Sequence, residues 1–197
     1  YGMSDPAPDP QTITAYADAI ADGLAALDLG AIDLVGYHTG AAIAAELAKR
    51  LASRVRRIML IAVPVFTPEE RARFGALPPI PWDEAGDWAR EEWQRSWTWR
   101  GPGQTREDVL RTYAEKMRPG ARERGASAIA AYDMAGALAQ IDQPLMIVRP
   151  RDDLWEATAR ARALRPDAGY AELPDLGHGL WSVAPERMAA LLRGFFA

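Results

Sequence analysis

The 197-residue sequence contains no cysteine. Disulfides, thiolate nucleophiles and cysteine-ligated zinc or iron–sulfur centres are therefore excluded. Histidine is almost absent, with His38 and His178 alone, and lysine is confined to Lys49 and Lys116. No apolar run approaches the ~18–20 residues of a membrane-spanning helix, so no membrane partner is expected. The formal net charge of -4 lacks the basic excess that binding to nucleic acid favours. With no visible signal peptide, a cytoplasmic location is expected. What remains is an ordinary globular composition, 49% hydrophobic and 25% charged, enough for one domain with a real core and at most a small appended subdomain.

Hydrophobic periodicity divides the chain into three stretches. In residues 1–66, Ile13, Tyr16, Ile20, Leu24 and Leu27 recur at helical spacing behind Thr12 or Thr14 as cap. A short buried strand follows at 32–36, an Ala/Leu-rich helix at 41–52 and a second strand at 55–65, ended near Pro64. Residues 67–143 differ in kind. They open on Thr67-Pro68-Glu69-Glu70, a cap with proline at the first helical position and acids in the first turn. They carry five of the seven tryptophans, Trp82, Trp88, Trp93, Trp97 and Trp99. Helices are expected near 84–95, 105–117 and 122–138, with no strand. Residues 144–197 return to alternation: strand 144–148, helix 156–164, strand 170–173 and an amphipathic helix 185–196. Strands alternating with helices imply a parallel sheet with crossover helices.

Three places could carry chemistry. Gly36-Tyr37-His38-Thr39-Gly40 lies between a strand and a helix. Small residues flank the central one because a sharp strand-to-helix turn crowds it, and the turn lifts that side chain to the sheet edge. The Thr39 N–H then falls at a helix N-terminus, where developing negative charge is favoured. Arg149-Pro150-Arg151-Asp152-Asp153 follows a strand directly, on the edge where open parallel sheets bind ligands. Gly177-His178-Gly179-Leu180-Trp181 places a glycine-flanked histidine between the last strand and the last helix.

The order of turn, acid and histidine resembles the α/β-hydrolase fold. The resemblance extends from Tyr1 to Ala197. Tyr1-Gly2-Met3-Ser4-Asp5 resembles the loop after that fold's fourth strand, Gly36 to Gly40 its nucleophile elbow, and residues 67–143 its cap. Asp153 matches the acid position, with Asp152 as alternative, and His178 matches the catalytic histidine. The resemblance implies four further strands and a second oxyanion donor upstream of Tyr1. It also implies a departure, because serine, aspartate or cysteine usually occupies the place of His38.

The roles implied are His178 as base, Asp153 as the acid that orients it, and the Thr39 N–H as an oxyanion donor. Three readings of His38 stand side by side: an imidazole nucleophile forming an acyl-imidazole, an activator of water, or a ligand contact without chemistry. Tyr37, Trp93, Trp97 and Trp181 are the expected substrate contacts, and at least one of Trp93, Trp97 and Trp99 is expected to line the cleft. The arginines Arg71, Arg73, Arg90, Arg95 and Arg100 read as a solvated face. Two histidines and a carboxylate also match an iron facial triad, but the turn is not built for one, so no metal and no cofactor are expected. The expected partner is a small molecule, either an apolar ester, lactone or related acyl compound that is hydrolysed, or an apolar ligand held by a catalytically silent relative. A cofactor-free lyase or oxygenase is the third reading.

Overall fold

The structure, a computed structural model, describes residues 10–76, 84–117 and 121–197. The Tyr1–Asp5 motif and Trp82 lie outside them. Helix α1 (Ile13–Ala26) is capped by the Thr12 hydroxyl, which accepts from the Ala15 N–H. Strand β1 (Ile32–Tyr37) runs into helix α2 (Thr39–Leu51), and β2 (Val55–Ile61) follows. Five helices come next: α3 (Pro68–Gly75), α4 (Asp87–Thr98), α5 (Arg106–Lys116), α6 (Ala121–Ala131) and α7 (Met134–Leu138). The chain then returns through β3 (Leu145–Pro150), α8 (Trp155–Leu164), β4 (Gly169–Leu173), α9 (Leu180–Val183) and α10 (Pro185–Phe196).

The four strands form one parallel sheet in the order β1-β2-β3-β4. Period-two alternation on the inner strands divides the core. Ile58, Leu60, Leu145 and Ile147 face one way, against α1, α2, α7 and α8. Met59, Ile61 and Val148 face the other way, with Leu173, Leu180 and Met188. Both faces are covered, as parallel sheets require. Ala41, Ala42, Ala44, Ala45 and Ala48 of α2 are buried, and their small side chains let that helix lie close on the sheet.

Strand β2 stops at Ile61, short of the expected Pro64. Ala62 takes a positive φ of 54° while its N–H still donates to the Val148 carbonyl. The Val63 N–H is then captured by the Thr158 hydroxyl at 2.9 Å, so the chain turns off the sheet before the proline. The helix expected at 122–138 is two helices. The Asp133 carboxylate accepts from the Gly136 N–H and starts α7 afresh. From Ala128 onward this stretch joins the main core through Ile129, Met134 and Leu138. Thr67 and Glu70 form a reciprocal capping box on α3. No helix among the described residues is long and apolar enough to cross a membrane.

Candidate active site

The strands end together at Tyr37, Ile61, Pro150 and Leu173, and the candidate residues gather at that edge. His38 occupies the tight turn with φ 54° and ψ -121°, a strained conformation for a residue with a Cβ. Its N–H donates to the Ile61 carbonyl at 3.0 Å, and its own carbonyl accepts from the Ala41 N–H at 2.8 Å. A Cβ on Gly36 would collide with the Gly40 backbone, so the turn closes only with glycine there. Thr39 begins α2, and its N–H is among the helix's orphan donors.

His38 Nε2 lies 2.9 Å from Asp152 Oδ2. Asp152 has no exposed side-chain surface, and its second oxygen accepts from the Leu154 N–H at 2.9 Å. His178 Nε2 lies 3.0 Å from Asp153 Oδ1. The adjacent carboxylates thus serve different histidines. The two rings face each other with centroids 5.2 Å apart, and His38 Nε2 is 4.0 Å from Asp153 Oδ1. Burial raises the Asp153 carboxyl, but the His178 hydrogen bond and the nearby imidazoles outweigh it and hold the group below its usual range.

A carboxylate only accepts hydrogen bonds, so each Nε2 facing one carries the proton. In a neutral ring Nδ1 then holds the free lone pair. Among the described residues neither Nδ1 has a hydrogen-bond partner.

A cavity of about 420 Å³ opens over the rings, lined among others by Tyr37, His38, Trp99, Lys116, His178 and Trp181. A second, of about 440 Å³, touches Asp153 and His178 from the side of Phe66, Arg73 and Phe74. Trp99, Lys116 and His178 border both. Of the expected contacts, Tyr37 and Trp181 reach the first cavity, whereas Trp93 and Trp97 line neither. Those two stack on each other at 5.9 Å, and Trp93 meets Tyr113 edge-on. Trp99 lines the cavities because it sits at the C-cap of α4, out of phase with the helix. The Tyr37 hydroxyl is buried with no partner among the described residues. Burial first, then Asp152 and Asp153, push its pKa far up, so it stays a donor.

Lys116, Arg100 and Gln104 were not singled out as contacts by the motifs. Lys116 had one signal, the scarcity of lysine. Its ammonium reaches Ser96 Oγ at 3.1 Å and the buried Glu92 at 3.2 Å, bracing α4 against α5. Arg73, Arg95 and Arg100, read as a solvated face, border the cavities. The glycines around His178 make room for protein. A Cβ on Gly177 would stand 2.8 Å from the Arg151 carbonyl, and one on Gly101 would strike the His178 carbonyl.

Among the described residues, His38, Asp152, Asp153 and His178 also bring one donor atom each within 4.8 Å of one another. These are the residues that could hold a metal ion.

A parallel sheet whose tight strand–helix turn, acid loop and histidine loop meet at one edge is the arrangement of the α/β-hydrolase fold, and sequence comparison agrees. The profile of the alpha/beta hydrolase family matches residues 1–191, and the chain belongs to that family. No curated protein matches the sequence. Among solved structures, a hydrolase from Pseudomonas aeruginosa superposes with a TM-score of 0.79 at 18% identity, covering 100% of this chain and 76% of that one. An esterase from Exiguobacterium antarcticum gives 0.77 at 18% identity, covering 99% and 77%. An E-2-(acetamidomethylene)succinate hydrolase gives 0.71 at 24% identity, covering 100% and 78%.

Proposed function

We propose that this protein hydrolyses a small ester, lactone or related acyl compound, with water as the attacking group and the His178–Asp153 pair as general base. The observation that carries this reading is the 3.0 Å contact between His178 Nε2 and Asp153 beside the cavity. An ionised Asp153 fixes the proton on Nε2 and leaves the Nδ1 lone pair to take a proton from water. The oxygen of that water then bonds to the acyl carbon, and the carbonyl electrons move onto the oxyanion. In this reading the Thr39 N–H, an orphan donor at the start of α2, stabilises that charge. When the tetrahedral carbon collapses, the proton on Nδ1 passes to the departing alkoxide and the base is restored.

His38 sits where such folds place a nucleophile, but its Nε2 is committed to Asp152. The free Nδ1 lies beside the Cβ substituent and is crowded for attack on an acyl carbon. Contact with the substrate and retention of Asp152 are the roles that fit. In this reading residues 67–143 act as a cap between the halves 1–66 and 144–197. Tyr37, Trp99 and Trp181 form the apolar wall. The hydrolase and esterase names of the structural neighbours support the reaction class.

The test is hydrolysis of p-nitrophenyl acetate and of a simple γ-lactone by the wild type and by His178→Ala. Turnover lost in the variant supports the reading. Turnover unchanged in the variant overturns the role of His178. No turnover in the wild type across esters and lactones favours the reading as a ligand-binding relative, to which His38 in place of a hydroxyl nucleophile points.

A further inference from the structure

We propose that the four-residue cluster at the sheet edge is also a binding site for a divalent transition-metal ion of the zinc class, and that occupancy silences the base. His38, Asp152, Asp153 and His178 are not two isolated pairs. Asp153 Oδ1 lies 3.0 Å from one Nε2 and 4.0 Å from the other, and all four donor atoms fall within 4.8 Å of each other. Any four points so placed share a centre no more than about 2.9 Å from each. Zinc bonds to imidazole nitrogen and carboxylate oxygen at ~2.0–2.2 Å, so each ligand needs to close by less than about 1 Å.

The donor chemistry selects the ion. Two imidazoles with two carboxylates suit zinc, cobalt, nickel or iron(II), whereas calcium and magnesium prefer oxygen alone. Two carboxylates neutralise a dication, which matters because Asp152 is sealed from solvent. The ligands are also held in advance. The Leu154 N–H fixes the far oxygen of Asp152, and the His38 backbone is pinned by Ile61 and Ala41.

The functional consequence follows from the tautomer. Coordination takes the Nε2 lone pair, so each neutral ring must carry its proton on Nδ1. The lone pair that accepts a proton from water is then gone. A set of four protein ligands also leaves no open position for a metal-bound water. Occupancy therefore inhibits hydrolysis. This inhibition rests on the hydrolase reading, whereas the binding site does not.

The binding test uses the chelator-stripped full chain titrated with Co²⁺ and followed by visible absorption, with Zn²⁺ displacing the cobalt. One ion per chain with the strong bands of four-coordinate cobalt is expected. Asp152→Asn and His178→Gln, which nearly keep shape, should each weaken binding at least tenfold. Circular dichroism of each variant checks that it is folded. No saturable binding by 1 mM Co²⁺, or binding within threefold of wild type in both folded variants, overturns the site. For the consequence, saturating Zn²⁺ should abolish p-nitrophenyl acetate hydrolysis, and EDTA should restore it. Hydrolysis undiminished by bound zinc, or dependent on it, overturns the inhibition. A stripped protein that binds cobalt as expected but hydrolyses nothing refutes the hydrolase reading and leaves the metal site standing.

Discussion

At the Gly36–Gly40 turn, His38 donates to Asp152, a carboxylate with no exposed side-chain surface. At the Gly177–Gly179 loop, His178 Nε2 lies 3.0 Å from Asp153, whose side chain is 38% exposed. The same pair of side chains is therefore built twice, once sealed and once open. A sealed carboxylate that loses its partner is costly, because water cannot replace the hydrogen bond. An open pair can exchange protons with water at little cost. Under the proposed function, that difference suits His38 to holding the turn and His178 to moving protons.

The contrast is sharpened most by activity. His178→Ala should lower kcat/KM for a p-nitrophenyl ester by roughly 10³-fold, as loss of a general base does. Its melting temperature should stay near that of the wild type. The stability effect should run the other way. His38→Ala should cost about 2–3 kcal/mol in urea unfolding, below the ~3–5 kcal/mol of a fully buried broken pair because His38 is itself 25% exposed. Adding Asp152→Asn to His38→Ala should return part of that loss. Equal destabilisation by the two histidine variants would break the comparison.

The strain at the turn gives a smaller effect. His38→Gly and His38→Ala both delete the imidazole, but only glycine is at ease at φ 54°. The glycine variant should be the more stable of the two by about 1 kcal/mol. The smallest effect concerns acid. Asp153 titrates below its ordinary range in the folded chain, while in the unfolded chain it titrates near ~3.9. Its contribution to stability is thus present above the unfolded value and is lost as pH falls through the lowered one. Urea titrations of wild type and Asp153→Asn should converge as pH drops below about 4. A gap that widens on acidification would contradict the assignment.

Much of this molecule could be read from the chain alone. The unbroken apolar run Ile58, Met59, Leu60 and Ile61 announces a strand covered on both faces, and Gly36 announces a turn too tight for a larger residue, whereas a Cβ at Gly40 would meet open space. Proline after Thr67 and again at 185 marks two helix starts correctly. What the chain does not display is direction. Asp152 and Asp153 are neighbours in sequence, and only the turn after β3 sends one into the protein and the other toward solvent. Trp93 and Trp97 share a helical spacing that fits a cleft wall as well as a packing stripe. Trp99 escapes that stripe because α4 ends at Thr98, a boundary that Gly101-Pro102-Gly103 just beyond it marks only to within a few residues. Lys116 pairs with Glu92 across two helices, a contact that no local pattern encodes.

The most direct test of the central claim is intact mass spectrometry of the protein during steady turnover of p-nitrophenyl acetate, compared with His178→Ala and His38→Ala. The account predicts an unmodified mass throughout, with release of p-nitrophenol that requires His178. A transient acetyl adduct that disappears in His38→Ala would contradict it, because the imidazole at the turn would then be the nucleophile.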